Sequence, residues 1–478
     1  MVWRPDRTVK KPMYKQIAEY IENGIGDGTF PLDKPLPSER NLAHLYGVNR
    51  STIVSAYAEL EARGVVERKK GSGTIISRDI WGLAKKRIPS WNKYIEAGTF
   101  LPNLPVMQRI RKETEESQLI NLASGELSAD LFPDDFIRKT LLTKEFKGHL
   151  GYDHPQGHSD LRQTLVKHVK DFRNIITKPE SILMTSGAQQ AIHLVIECLL
   201  KPGDAVVIEN PSYNYSLPIF KTAGLKVYSL EVGEKGIRPQ DLIELHKKHQ
   251  IKMLFLNPIF QNPTGTLLPY SQRKEILNIS SQYGIPVIED DPYSLLPFTE
   301  DRVSTLKSMD MNGNVLYISS LSKIAAPGLR IGWIIGPPSV IERLADAKQQ
   351  FDFGHSALSQ WIGNQFLSSP YFEEHLEHLK VALKRRRDTM IRCLNEHFHD
   401  QIEFYSPLGG IHMWCRFKED IDENRLLEQA IAEGMIFAPG STLGTEKGCI
   451  RLTYARGNEE VIRHGIQRLF NAYEKVKE

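Results

Sequence analysis

Apolar positions in the first eighty residues recur at helical spacing. Met13, Ile17, Tyr20, Ile21 and Ile25 fall on one face of a helix that the GDG at 26–28 and the extended FPLDKPLP bring to an end. The pattern predicts a second helix, ERNLAHLY, capped by Ser38 and closed by Gly47. A third, RSTIVSAYAELEARG, is capped by Asn49 and carries Ile53, Tyr57 and Leu60 on one face. After Gly64, VVERKKGSGTIIS predicts two short strands around a Lys-Lys-Gly-Ser-Gly tip. Two short helices joined by a tight glycine turn and followed by a hairpin make a winged helix-turn-helix.

The period then fails. From Asp79 to about Glu116 the chain runs through AKKRIPSWNKY, FLPNLPVM and RIRKETEES without sustained alternation or helical spacing, which predicts a linker over 79–116. Beyond residue 117 the pattern becomes strand then helix, repeatedly. Continuous apolar runs such as AVVIE, KMLFL, PVIED and VLYIS alternate with amphipathic stretches, as in a mainly parallel sheet covered on both faces. The expected organisation is a winged helix-turn-helix over 1–78, the linker, and a large α/β domain over 117–478.

Composition narrows the partners. With 41% apolar and 25% charged residues the 478-residue chain reads as soluble and globular. No apolar run approaches the roughly 20 residues needed to cross a bilayer, and the first residues carry no secretory pattern, so a cytoplasmic protein is expected. The four cysteines lack CxxC spacing and read as buried thiols, with no disulfide and no metal site. Net charge is only +3, yet residues 1–78 hold 13 Lys and Arg against 9 Asp and Glu. That excess points to a polyanionic partner for the N-terminal module.

The placement of the cations makes the partner double-stranded DNA. Arg50, Ser51 and Thr52 occupy the first turn of the third helix, which in this motif enters the major groove. There an arginine can donate bidentately to guanine, while hydroxyls and helix N-terminal amides suit phosphate. Arg40 lies early in the second helix, and the wing residues Lys69, Lys70 and Gly71 can reach backbone phosphate or the minor groove. The stretch LPSERNLAHLYGVNRSTIVSAYAELEARGVVERKKGSGTII resembles the winged helix-turn-helix of the GntR family of bacterial regulators. The resemblance puts the DNA contacts on Arg40, Arg50, Ser51, Thr52, Lys70 and Gly71.

In the large domain the chemistry sits where parallel sheets bind ligands, just after strands. Ser186, Gly187, Ala188 and Gln189 open a helix and offer amides to an anion. Tyr213 follows AVVIE and can lay a ring over the site; Asn262 follows KMLFL on a turn stiffened by Pro263. After PVIE come Asp290, Asp291 and Tyr293, an acid for a protonated ring nitrogen and a phenol for another ring substituent. After VLYISSLS comes Lys323, whose burial would favour a neutral, nucleophilic amine. Ser320 and Ser322 supply hydroxyls, and Arg330 a fork for phosphate. Together these are the parts of a pyridoxal 5'-phosphate site.

Residues from about 119 to 475 resemble fold-type I aminotransferases of class I/II through GYDHPQGHSDLR, TSGAQQAI, ENPSYNY, QNPTG, EDDPYSLL, SSLSKIAAPGLRIGW and CIRLTYA. The resemblance implies a smaller C-terminal α+β subdomain. It makes Lys323 the Schiff-base lysine, Asp290 the pyridinium partner, Tyr293 and Asn262 the 3-hydroxyl partners, and Tyr213 the stacking ring. It puts Ser186, Gly187, Ala188, Gln189, Ser320, Ser322 and Arg330 around the phosphate, with Tyr152 reaching in from the other subunit of a homodimer. Arg451 would take an effector's carboxylate, and Asn210-Pro211 and Asn262-Pro263 would be cis. Within EDDPY either Asp290 or Asp291 can face the ring, family spacing favouring Asp290.

A DNA reader joined to such a domain resembles the MocR subgroup of GntR regulators. The resemblance implies a pyridoxal-phosphate-dependent transcription factor that binds DNA as a dimer and senses the cofactor or a small amine or amino acid by imine exchange at Lys323. The rival expectation is a working aminotransferase that carries a DNA-binding module.

Overall fold

A computed structural model describes residues 3–26, 28–31, 34–69, 73–77, 91–116, 118–146, 148, 150–444 and 447–477. It divides into two compact units, Met1–Thr99 and Phe100–Glu478.

In the first unit helices span Met13–Gly26, Glu39–Tyr46 and Arg50–Ala62. Their apolar faces meet around Ile17, Ile21, Leu42, Ile53, Tyr57 and Leu60, all at most 1% exposed. The Tyr57 hydroxyl donates to the Pro37 carbonyl at 2.6 Å, satisfying its polar end inside that core. Ser38 caps the second helix by accepting from the Asn41 amide at 3.3 Å, and Gly47 ends it at φ 65°, a conformation that favours glycine. Asn49 stands at the cap position of the third helix, but its side chain makes no capping bond; its carbonyl takes the Thr52 amide instead. Strands Val66–Lys69 and Gly73–Ile76 pair antiparallel with Val66 opposite Ile76. The wing tip, with Lys70 and Gly71, lies outside the described residues.

The segment expected to be irregular contains helices Trp91–Ala97 and Pro105–Glu116. In the second of these a short stripe of Val106, Met107 and Ile110 packs on the large core, with Ile110 only 5% exposed. Charged neighbours mask that stripe in the sequence, and Arg109–Glu113 and Arg111–Glu115 pair one turn apart on its surface.

The large unit is built on a seven-stranded sheet. Across it the strands run Ile182–Thr185, Gly332–Ile335, Val315–Ser320, Val287–Asp290, Met253–Leu256, Ala205–Asn210 and Lys226–Glu231. Only Gly332–Ile335 runs against its neighbours. Alternate residues feed opposite faces: Leu183, Ile318, Ile288 and Phe255 enter one core, while Met184, Tyr317, Leu254 and Val287 enter the others. Both faces are apolar, which is why these strands read as unbroken apolar runs.

A second, antiparallel sheet orders Ile402–Phe404, His412–Phe417, Cys449–Thr453 and Ala438–Pro439, flanked by helices Tyr371–Phe398, Glu423–Ala432 and Glu459–Lys477. Its register sets His412 opposite Thr453 and Trp414 opposite Arg451. Among the described residues no helix is long and apolar enough to cross a membrane.

Candidate functional site

Strand ends of the large unit bring most of the predicted residues together. Lys323 lies three residues beyond Val315–Ser320, and its amine donates to the Gly125 carbonyl. Burial pulls that amine down to about 8 from the ordinary 10.5; Arg451 and Arg330 act in the same direction, and Glu126 and Asp290 oppose them.

Asp290 ends the strand Val287–Asp290, and its Oδ1 is buried without a hydrogen-bond partner. Burial pushes its carboxyl up to about 7, Asp291 adding to the effect and Lys323 countering it. Asp291 has a different environment. It is fully buried, accepts from the Ser294 amide at 2.8 Å and the Tyr317 hydroxyl at 2.6 Å, and pairs with buried Arg173 at 3.4 Å. Neighbouring residues at a strand end point to opposite sides, so one acid is tied into the core and the other keeps an uncommitted oxygen.

Around this pair, Arg451 Nη1 donates to Asn262 Oδ1 at 3.0 Å and Nη2 to the Ala123 carbonyl, while its Nε is buried without a partner. The Asn262 carbonyl accepts from the Tyr213 amide at 3.0 Å, and the Tyr213 hydroxyl accepts from Gln189 Nε2 at 2.6 Å. Tyr293 is buried, and burial pushes its phenol well above the usual range. The Asn210-Pro211 and Asn262-Pro263 bonds are both cis.

Gly187 opens the helix Ala188–Leu199 at φ 85° with no side-chain cap. A β-carbon there would stand 2.8 Å from Arg330 Nη2, and the positive φ itself favours glycine. Arg330 Nη2 donates to the Ser186 carbonyl at 2.7 Å, and Ser320 Oγ accepts from the Ser322 amide at 3.4 Å. An uncapped helix start beside an arginine suits a phosphate, and a buried unpaired carboxylate suits a protonated ring nitrogen. The residues present therefore fit pyridoxal phosphate. Tyr152 stands outside the cluster: it is 84% exposed, and its ring lies 5.7 Å from that of Phe353.

Sequence reasoning passed over several residues here. His412 contacts the Tyr293 hydroxyl at 3.0 Å. Asn257 holds the site backbone, donating to the Asp290 carbonyl at 2.8 Å and accepting from the Asn262 amide at 2.7 Å, while Glu209 accepts from the Asn257 amide at 2.7 Å. Asn257 was legible by its position, directly after the strand Met253–Leu256. Gly125 and Glu126 come from a chain segment far from Lys323 and carry no motif.

In the first unit Arg40, Arg50 and Ser51 are exposed and Thr52 is half-buried, with Arg50, Ser51 and Thr52 in the first turn of Arg50–Ala62. Arg50 is held by Glu39, its Nε at 3.1 Å and Nη2 at 2.9 Å from Oε2, and Arg68 approaches the same carboxylate at 3.8 Å. Glu39 thus gathers two cations on the face that holds the third helix's start.

Known proteins carry the same two parts. Residues 117–469 match the family described as aminotransferase class I and II, and residues 13–76 match the bacterial regulatory proteins of the gntR family. The chain is 37% identical over 473 residues to the HTH-type transcriptional regulator YdfD of Bacillus subtilis, covering 98% of each chain. It is 33% identical over 450 residues to the HTH-type transcriptional regulator NorG of Staphylococcus aureus, covering 92% of this chain and 100% of NorG. Among solved structures, the kynurenine aminotransferase of Pyrococcus horikoshii superposes with a TM-score of 0.74 at 30% identity, over 83% of this chain and 98% of its own. LysN, the alpha-aminoadipate aminotransferase of Thermus thermophilus, does so with a TM-score of 0.72 at 28% identity, over 83% and 99%. With both family signatures in one chain and full-length relatives that are transcriptional regulators, this chain belongs to the GntR-family regulators that carry a class I and II aminotransferase domain, the MocR subgroup.

Proposed function

We propose that this regulator acts in the cytoplasm as a homodimer on operator DNA and responds when an amine or amino-acid effector, or pyridoxal phosphate itself, engages Lys323. The observation that carries the reading is the uncommitted Asp290 oxygen in the same buried cluster as a Lys323 amine pulled down to about 8 by burial, in a chain whose relatives regulate transcription. Pyridoxal phosphate is the cofactor of the large domain, and when bound it supplies an electrophilic aldehyde carbon open to attack by an amine.

Each residue has a task toward it. Asp290 holds the protonated ring nitrogen, Tyr293 and Asn262 face the 3-hydroxyl, and Tyr213 stacks on the ring. Ser186, Gly187, Ala188, Gln189, Ser320, Ser322 and Arg330 surround the phosphate, and the exposed Tyr152 reaches the phosphate of the other subunit. Arg451 exchanges its Asn262 and Ala123 acceptors for an effector carboxylate, which gives the effector a contact absent from the free state.

In the DNA-binding unit Arg50 trades Glu39 for a base edge. An exposed ion pair is worth at most about 1 kcal/mol, less than the ~1–3 kcal/mol of a bidentate arginine–guanine contact. Arg50→Ala is therefore expected to weaken operator binding by about 10- to 100-fold, measured by fluorescence anisotropy at fixed salt. Unchanged affinity removes Arg50 from the interface.

The function is tested by operator binding of wild type and Lys323→Ala, each with and without pyridoxal phosphate and a panel of amino acids. Wild type is expected to change its affinity and the variant not; identical responses sink the sensor reading. Sustained transamination at about 1 s⁻¹ or faster, in the range of ordinary enzymes, replaces it with a working aminotransferase.

A further inference from the structure

We propose that Thr453 holds His412 as its Nε2–H tautomer, so that the imidazole donates to the Tyr293 oxygen and turns the phenolic proton into the cofactor cleft. His412 is then a positioning residue that acts through Tyr293. The inference rests on the reading of the cleft as a pyridoxal-phosphate site.

His412 is 1% exposed, with Nε2 3.0 Å from the Tyr293 hydroxyl and Nδ1 3.0 Å from Thr453 Oγ1. The antiparallel register that sets His412 opposite Thr453 puts that hydroxyl within reach. The imidazole meets the Tyr293 ring edge-on at 5.8 Å and 89°. Its other edge lies against Gly125: a β-carbon there would come within 2.9 Å of His412 Cε1, and the Gly125 carbonyl holds the Lys323 amine. One ring is thus wedged between the Tyr293 phenol and the backbone that receives Lys323.

The ring is neutral. Burial, then the charges of Arg451 and Lys323, push its protonation well below the ordinary range, so it offers one donor and one acceptor. If Nδ1 carried the hydrogen, the Tyr293 proton would be drawn to Nε2 and the phenol would present only lone pairs to the cleft. An ionised 3-oxygen on the cofactor can only accept, so it requires the opposite arrangement: Thr453 donates to Nδ1, and Nε2–H donates to the phenol oxygen. That donation also makes the phenol a better donor. The other charged or titratable groups acting on Tyr293 are Arg451, Asp290 and Tyr213, and none of them supplies this hydrogen bond.

The test uses the full-length protein loaded with pyridoxal phosphate and follows the pH midpoint of the bound cofactor's visible absorbance. His412→Leu is expected to raise that midpoint by about half a unit or more, on the scale of one lost hydrogen bond, and to weaken cofactor affinity by about 3- to 10-fold. His412→Gln, whose amide can place an N–H where Nε2–H stood, is expected to stay within about 0.2 unit. Thr453→Val, which frees the tautomer, shifts the midpoint in the same direction as Leu. Long-range ¹H–¹⁵N correlations on the labelled protein read the tautomer directly, so a variant that fails to fold does not leave the question open. Nδ1 protonation, or equal midpoints for wild type, Leu and Val, overturns the relay alone. A wild-type protein that binds no pyridoxal phosphate overturns the cofactor reading and the relay with it.

Discussion

Replacing Lys323 with alanine is expected to abolish covalent attachment of pyridoxal phosphate and to leave the fold intact. The amine follows the strand Val315–Ser320 by three residues, and it donates to the backbone carbonyl of Gly125. Burial disfavours its charged form, so its proton leaves near pH 8, where an ordinary lysine keeps it to about 10.5. At pH 7 roughly one amine in ten is then neutral, against about one in three thousand for an unperturbed lysine. The rate at which cofactor-free protein takes up the aldehyde should therefore rise as pH climbs through about 8 and level off above it, as stopped-flow absorbance would record. Borohydride reduction and peptide mass mapping locate the attachment. Retention of the visible band by Lys323→Ala, with another lysine modified, would remove Lys323 as the anchor. Losing a buried amine of unfavourable charge should leave stability unchanged within about 1 kcal/mol.

How far the sequence foretells this protein depends on whether a feature is local. The helical period around Ile17 and Tyr57 and the apolar runs of the large sheet are patterns of neighbours, and they appear in the structure as helices and strands. So are the strand-end motifs, because a parallel sheet collects everything that follows its strands on one side. Features set by long-range register are different. Nothing near His412 in GGIHMWCRF marks it as polar chemistry; its contacts arise from pairing with Thr453, 41 residues on, and from Tyr293, 119 residues earlier. The choice between Asp290 and Asp291 turns on which side of a strand end each faces, and Arg173 and Tyr317, which claim Asp291, are remote in sequence. Glu39 is adjacent to Arg40, yet it is Arg50, eleven residues away, that it holds. The Pro105–Glu116 helix was hidden because its apolar stripe is only three residues wide among charges. Asn49 shows the opposite failure: a residue that favours caps stands at a cap and makes no capping bond.

Asp290→Asn is expected to stabilise the cofactor-free protein and weaken the cofactor-bound one. In the folded chain burial holds the Asp290 carboxyl near 7, above its ordinary 3.8, so the folded state keeps a proton that the unfolded state gives up. Its contribution to stability is whole below about pH 4, is lost as pH rises through 7, and above 7 is a penalty, because the ionised carboxyl keeps its Oδ1 buried without a hydrogen-bond partner. Asparagine never ionises and escapes it. Asp290 is part-exposed as a residue, and the solvent that reaches it screens the charge, so the gain at pH 8 should be about 1–2 kcal/mol and should vanish by pH 4. Glu289, pushed up to about 8, and Glu209, pushed up to about 7, titrate in the same window, so the test is the difference between variant and wild type at each pH. With pyridoxal phosphate bound the sign reverses. In the proposed site the carboxylate would pair with a cationic ring nitrogen, an amide would not replace that charge, and affinity should fall at least tenfold, about 1.4 kcal/mol. Asp291→Asn separates this from damage to the core. It strips the partner of buried Arg173 and should destabilise the protein with and without cofactor, by about 3–5 kcal/mol. Thermal melts of the three proteins at pH 5 and pH 8 decide the matter: an Asp290→Asn variant that melts below wild type at pH 8 without cofactor would mean that the Asp290 oxygen is not a site held open for a ligand but a structural acid like its neighbour.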